Sequence, residues 1–228
     1  MPLHQKIEFF EDSPINGESK TKFGGQPDWI TTAQWPLSRT TGNPMRFLCQ
    51  IELDERIFPA AAGKMAYVFM TDENEYIDGT WEPDGGENCV VIQPSSAPLV
   101  VKVANLLTGP SLYTMREAAG SNRLVPVEQA YGTQLSVGED PSYQPTSAWH
   151  DWSDEQVDAY ASELEGNKIG GTPIFLQDDE FPSEEPWRLL LQLDSTRVPF
   201  LVNFGDAGVA YAFIDPEGSK GRMLWQCA

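Results

Sequence analysis

Two stretches of the chain, KFGGQPDWITTAQWP at residues 22–36 and KIGGTPIFLQDDEFP at residues 168–182, repeat one pattern 146 residues apart. An internal repeat constrains a fold more than any local signal, because both copies need an equivalent place in the architecture. The copies continue past their glycines. Arg46-Phe47-Leu48-Cys49-Gln50-Ile51-Glu52 matches Arg188-Leu189-Leu190-Leu191-Gln192-Leu193-Asp194, and Ala66-Tyr67-Val68-Phe69 matches Ala210-Tyr211-Ala212-Phe213. The separation drifts from 146 to 142 and then 144, so insertions fall between the blocks, as they do between strands joined by variable loops.

The Arg/Gln runs are short, apolar and bounded by turn-forming residues, which predicts buried strands rather than helices. The Tyr/Phe runs place two aromatics two residues apart, hence on one sheet face. Glycine tolerates positive φ and close approach of another segment, and a proline two residues later stops ladder pairing. Gly24-Gly25-Gln26-Pro27 and Gly170-Gly171-Thr172-Pro173 therefore predict sharp bends entering a sheet. A phosphate-cradling loop is excluded, because neither G-x-G-x-x-G nor G-x-x-x-x-G-K-[ST] follows.

Between the copies, residues 88–103 read as two strands around a Pro/Ser turn and residues 138–148 as an irregular loop. A helix follows. Ser153 with Gln156 forms a capping box, Trp152 and Val157 a hydrophobic staple, and Val157, Tyr160, Ala161 and Leu164 an apolar stripe closed by Gly166-Asn167. No counterpart is expected over residues 5–20, where Pro14 and Gly17 interrupt any stripe. The fold class expected is α+β, β-rich, with an internally duplicated module forming one compact unit. Its parts are an N-terminal extension (1–20), a first repeat (21–103), a connecting insertion (104–149) and a second repeat with its leading helix (150–228).

A net charge of −19 repels phosphate backbones and anionic membranes, which disfavours nucleic-acid and membrane partners. Three cysteines, Cys49, Cys89 and Cys227, make no disulfide framework, and no signal-peptide core or membrane-length apolar run occurs. A cytoplasmic location is expected.

No metal or cofactor site is expected, because cysteine and histidine lack zinc-ligand spacing. Asp72, Asn74 and Asp78 approach an EF-hand rhythm, but Tyr76 and Ile77 break it; an irregular calcium site at Asp78, Asp84 or Glu87 is the alternative to a solvated loop. His150 reads as the edge of an aromatic helix entry rather than the base of a cysteine nucleophile. Carboxylates at Asp178-Asp179-Glu180 and Glu184-Glu185 read as a solvated edge or a docking surface rather than as an acid/base pair.

The segments Lys22 to Trp29, Trp35-Pro36, Met45 to Leu53, Gly208 to Phe213 and Leu224 to Cys227 together resemble the YwqG-like family of bacterial proteins, a domain of unknown function. The resemblance implies a cytosolic, β-rich, internally duplicated fold and no catalytic residues to carry over. A more distant similarity, through Gly-Gly-x-Pro-x-Trp and the following Phe-Leu-x-Gln strand, is to the programmed-cell-death-protein family, whose members escort a basic ribosomal protein. Relatives there carry paired cysteines where this chain has cysteine-free residues 31–44, so no zinc role carries over. Some YwqG-like genes lie beside secreted-toxin genes, which implies an immunity role by resemblance.

The function expected is that of a non-catalytic, cytosolic protein-binding module whose acidic face engages a basic protein. Trp81, Glu82 and Asp84, with Asp178, Asp179 and Glu180, are the candidate contacts, because aromatics beside carboxylates suit an interface. The alternative is a small-ligand-binding or hydrolytic protein with a cleft between the repeats, lined by Arg46, Gln50, Arg188 and Gln192. Oligomeric state is left open.

Overall fold

The computed structural model describes residues 1–11, 20–73, 77–95, 101–183 and 186–228. In chain order the strands of the first part are β1 (Leu3–Phe10), β2 (Lys22–Gly24), β3 (Trp35–Pro36), β4 (Arg46–Glu52), β5 (Met65–Met70) and β6 (Asn88–Gln93). Then come β7 (Val103–Ala104), β8 (Tyr113–Glu117), β9 (Leu124–Glu128), β10 (Ala130–Glu139) and helix α1 (Asp154–Leu164). The chain finishes with β11 (Lys168–Gly170), β12 (Arg188–Asp194), β13 (Val209–Ile214) and β14 (Gly221–Gln226).

Ten of these strands close into a barrel in the order β1-β10-β2-β4-β5-β6-β14-β13-β12-β11, with β11 pairing back onto β1. The two Gly-Gly-x-Pro stretches lie in corresponding half-barrels, and their registers agree residue by residue. Lys22 opposes Gln50 and Lys168 opposes Gln192; Gln50 opposes Tyr67 and Gln192 opposes Tyr211. The β4–β5 pairing shifts between Phe47 and Cys49, and the β12–β13 pairing shifts at the matching place, between Leu189 and Leu191. A bulge turns two successive residues toward one face. Leu48 and Cys49, like Leu190 and Leu191, consequently both join the central apolar cluster.

These strands read as continuous apolar runs because both their faces are covered. Inward residues such as Ile51, Val68, Leu193 and Ala212 fill the barrel. Outward residues are covered by the loop that follows each glycine pair. In the first half Trp29 and Trp35 lie over Tyr67 and Phe69; in the second, Phe175 and Phe181 lie over Tyr211 and Phe213. Each such aromatic contributes roughly 1.5–3 kcal/mol of burial free energy.

The expected bends occur, though they leave the short strands β2 and β11 rather than lead into them. All four repeat glycines have φ between 66° and 79°. A Cβ on Gly24 would stand 2.2 Å from the Gln129 carbonyl oxygen, so that bend needs glycine for space as well as for φ.

Helix α1 forms as its capping box predicts: Gln156 N–H donates to Ser153 Oγ, and Ser153 N–H donates to Gln156 Oε1. Its stripe faces inward, with Leu164 fully buried and Val157, Tyr160 and Ala161 half-buried.

The N-terminal extension and the connecting insertion each supply a strand to the barrel. Residues 3–10 form β1, which pairs along its whole length with β10 from the insertion, and these two strands fill the barrel between β2 and β11. A four-stranded half leaves unpaired edge groups that another strand must satisfy, and β1 and β10 do so. Pro14, Gly17 and part of the expected 88–103 hairpin lie outside the described residues.

Candidate functional site

Three buried polar side chains per half hold the loop beyond each glycine pair. In the first half Gln50 Oε1 accepts from Asp28 N–H at 2.8 Å and its amide nitrogen donates to the Lys20 carbonyl. Tyr67 donates to the Asp28 carbonyl and accepts from Ile30 N–H, while Gln93 accepts from Thr31 N–H and donates to the Thr32 carbonyl. In the second half Gln192 accepts from Ile174 N–H and donates to the carbonyls of Leu164 and Gly166. Tyr211 donates to the Ile174 carbonyl, and Gln226 accepts from Gln177 N–H and donates to the Asp178 carbonyl. Burial pushes Tyr67 up to about 12, so it remains a phenol donor throughout the ordinary pH range.

The four residues expected to line a cleft are not brought together at one site. Gln50 and Gln192 are buried and committed to loop backbone within their own halves. Arg46 lies 2.6 Å from Asp72, donates to the Ser111 carbonyl and stacks over the Tyr113 ring. Arg188 is exposed and lines a pocket of about 470 Å³. That pocket opens between Leu3 of β1, Phe58 of the β4–β5 connection, Tyr143, Gly171 to Pro173 of the second bend, and Trp187. Sequence reasoning did not find it, because its walls come from five distant segments.

Beneath the pocket lies a buried ionic clasp. Asp140 is 1% exposed; its Oδ2 lies 2.8 Å from Lys168 Nζ and accepts from Thr172 N–H, and its Oδ1 lies 2.7 Å from His4 Nδ1. Burial holds the Lys168 ammonium below its ordinary value against the pull of Asp140. Burial also lowers His4, assisted by Lys168 and Lys6 and opposed by Asp140. A Cβ on Gly171 would meet Asp140 Oδ2 at 2.1 Å, which ties the glycine pair to the clasp.

The two acidic segments approach each other across β14. The Trp81 carbonyl accepts from Trp225 N–H, and the next residue, Gln226, donates to the Asp178 carbonyl and to Glu180. Arg222 of the same strand pairs with Asp84 at 3.2 Å, donates to the Pro182 carbonyl and lies over the Trp187 ring. Asp179 accepts from Thr146. Glu82 and Asp178 are exposed, as is Trp81 at 39%. Glu184 and Glu185 lie outside the described residues.

Other candidate chemistry is taken up by structure. Cys49 and Cys89 sit in buried strands, where burial pushes Cys49 up strongly and Cys89 to about 12, so neither is a thiolate at neutral pH. His150 is exposed on a 3₁₀ turn at Thr146–Asp151. Of the residues considered for calcium, Asp72 pairs with Arg46, Asp84 pairs with Arg222, and Asp78 accepts from Gly79 N–H. Glu87 accepts from Thr71 and Thr40; burial pushes its carboxyl up, but these bonds outweigh it and hold it below the ordinary range. Asn74 and Tyr76 lie outside the described residues. Among the described residues, no group of three or more His, Cys, Asp and Glu could hold a metal, and no helix is long and apolar enough to cross a membrane.

No curated protein matches the chain. A family model does match, over residues 21–224, which takes in both glycine-pair bends, their covering loops and β2 through most of β14. The chain belongs to that family, the domain of unknown function DUF1963.

Proposed function

We propose that the protein is a cytosolic, non-catalytic binding module that engages a basic protein through the acidic, tryptophan-bearing face over β14. The observation that supports this reading is the convergence of two remote segments, Trp81 to Asp84 and Asp178 to Glu180, on consecutive residues of one strand. Arg222 of the same strand is already occupied by Asp84. Trp81, Glu82 and Asp178 are exposed on these segments, and an aromatic side chain with carboxylates is the composition that gives a steered and specific interface. On this reading the chain is a YwqG-like protein, its half-barrels descend from one module, and its role is that of an escort or an immunity protein.

Affinity capture from cell extract, with mass-spectrometric identification at low and high salt, tests the reading. A specific basic protein should be retained at low salt and released by Glu82→Lys/Asp178→Lys. An equal charge change on α1, Asp158→Lys/Glu163→Lys, should leave it bound. Equal loss with both variants would reduce the effect to net charge, and retention with both would refute the face.

A further inference from the structure

The two half-barrels differ at one arginine, and the difference points to a ligand. Arg46 and Arg188 occupy the same register position, opposite Met70 and Ile214 respectively. In the first half the chain itself supplies an anion: Asp72, two residues beyond Met70, lies 2.6 Å from Arg46 Nε. The matching position in the second half is Pro216, which has no carboxylate. The residue before it, Asp215, turns away and accepts from Ser219 N–H, Ser219 Oγ and Lys220 N–H. Among the described residues Arg188 has no ion pair, and its exposed side chain lines the 470 Å³ pocket, a volume typical of small-molecule sites.

We propose that this pocket binds a small amphipathic carboxylic acid, with Arg188 taking the carboxylate that Asp72 supplies to Arg46. The remaining walls fit the body of such a molecule. Ile57, Phe58, Phe181, Trp187 and Leu189 offer apolar and aromatic surface. The second guanidinium on the wall, Arg56, is already held by Asp54, so among the described residues the pocket offers one free cation, which suits one negative charge. A planar guanidinium accepts a carboxylate through two parallel hydrogen bonds, which a neutral amide cannot reproduce. The site uses none of the residues proposed for the face over β14, so the two readings stand or fall separately.

The experiment is a set of NMR titrations with phenylacetate, 3-phenylpropionate and octanoate, each beside its neutral amide, following the Trp187 indole N–H and the Arg188 side-chain resonances. At least one acid should move both signals with a millimolar or tighter Kd, and its amide should bind at least about tenfold more weakly. Arg188→Met keeps the aliphatic stem and should weaken the acid by a similar factor with no loss of thermal stability, while Arg188→Lys should recover part of the affinity. Acid and amide binding equally, acid binding unchanged in Arg188→Met, or no response to any of the three acids would overturn the proposal.

Discussion

Asp140→Asn should lower the folding free energy by about 3–5 kcal/mol, the usual cost of removing one partner from a buried ion pair. Asp140 offers its two oxygens to three groups, one on β1 and two on β11 and its bend, and Lys168 is 2% exposed. The substitution leaves that ammonium without a counter-charge where water cannot replace it. For a chain of this length the melting temperature should fall by about 10 °C, taking roughly 2–4 °C per kcal/mol. The first half contains its own control. Lys22, which matches Lys168 in register, pairs with Asp28, whose side chain is 73% exposed. Asp28→Asn should therefore cost no more than about 1 kcal/mol. Urea denaturation of both variants measures the contrast, and equal losses would contradict the assignment of Asp140 as a buried clasp.

Gly24→Ala should destabilise by about 3 kcal/mol, whereas Gly63→Ala should cost about 1–2 kcal/mol, the penalty of a left-handed backbone alone. Their φ values are similar, 66° and 74°. The surroundings differ. A Cβ at Gly24 would stand 2.2 Å from a backbone oxygen on β10's approach, while a Cβ at Gly63 would meet nothing within 4 Å. Backbone cannot give way as a flexible side chain can, so the added cost reports how closely the first bend lies against residues 129–130. Equal effects in chemical denaturation would mean that the glycine serves φ only.

Most of each half-barrel could be read in the chain because its signals are local. Glycine pairs with proline mark the bends, apolar runs of Arg/Gln and Tyr/Phe type mark strands covered on both faces, and Ser153 with Gln156 marks the helix start. The barrel's closing strands gave no such signal. In β1 burial alternates from Gln5 to Phe10, but the buried His4 and Gln5 are polar, so the apolar side of that alternation shrinks to Ile7 and Phe9 and is too short to announce a strand. The partners of His4 and Gln5, Gly138 and Val137, are more than 130 residues away on β10, and pairing over that distance leaves no spacing to read. The clasp was hidden for the same reason, since Lys168 opens the second repeat but His4 and Asp140 carry no motif. Gln50 and Gln192 stood out as matched polar residues, yet sequence alone could not tell a cleft lining from a loop anchor. That distinction depends on which backbone groups the loop brings to them.

The central claim is that each half-barrel fixes its glycine-bend loop through its own glutamine–tyrosine–glutamine set. Native-state amide hydrogen exchange tests it most directly. Asp28, Ile30 and Thr31 in the first half, with Ile174 and Gln177 in the second, lie outside strands and helices yet should exchange slowly, like barrel amides. Gln50→Leu should release protection at Asp28 and its neighbours while Ile174 stays protected, and Gln192→Leu should do the reverse. Exchange of these amides at open-loop rates in the unaltered protein, or loss of protection in both loops from either single substitution, would contradict the account.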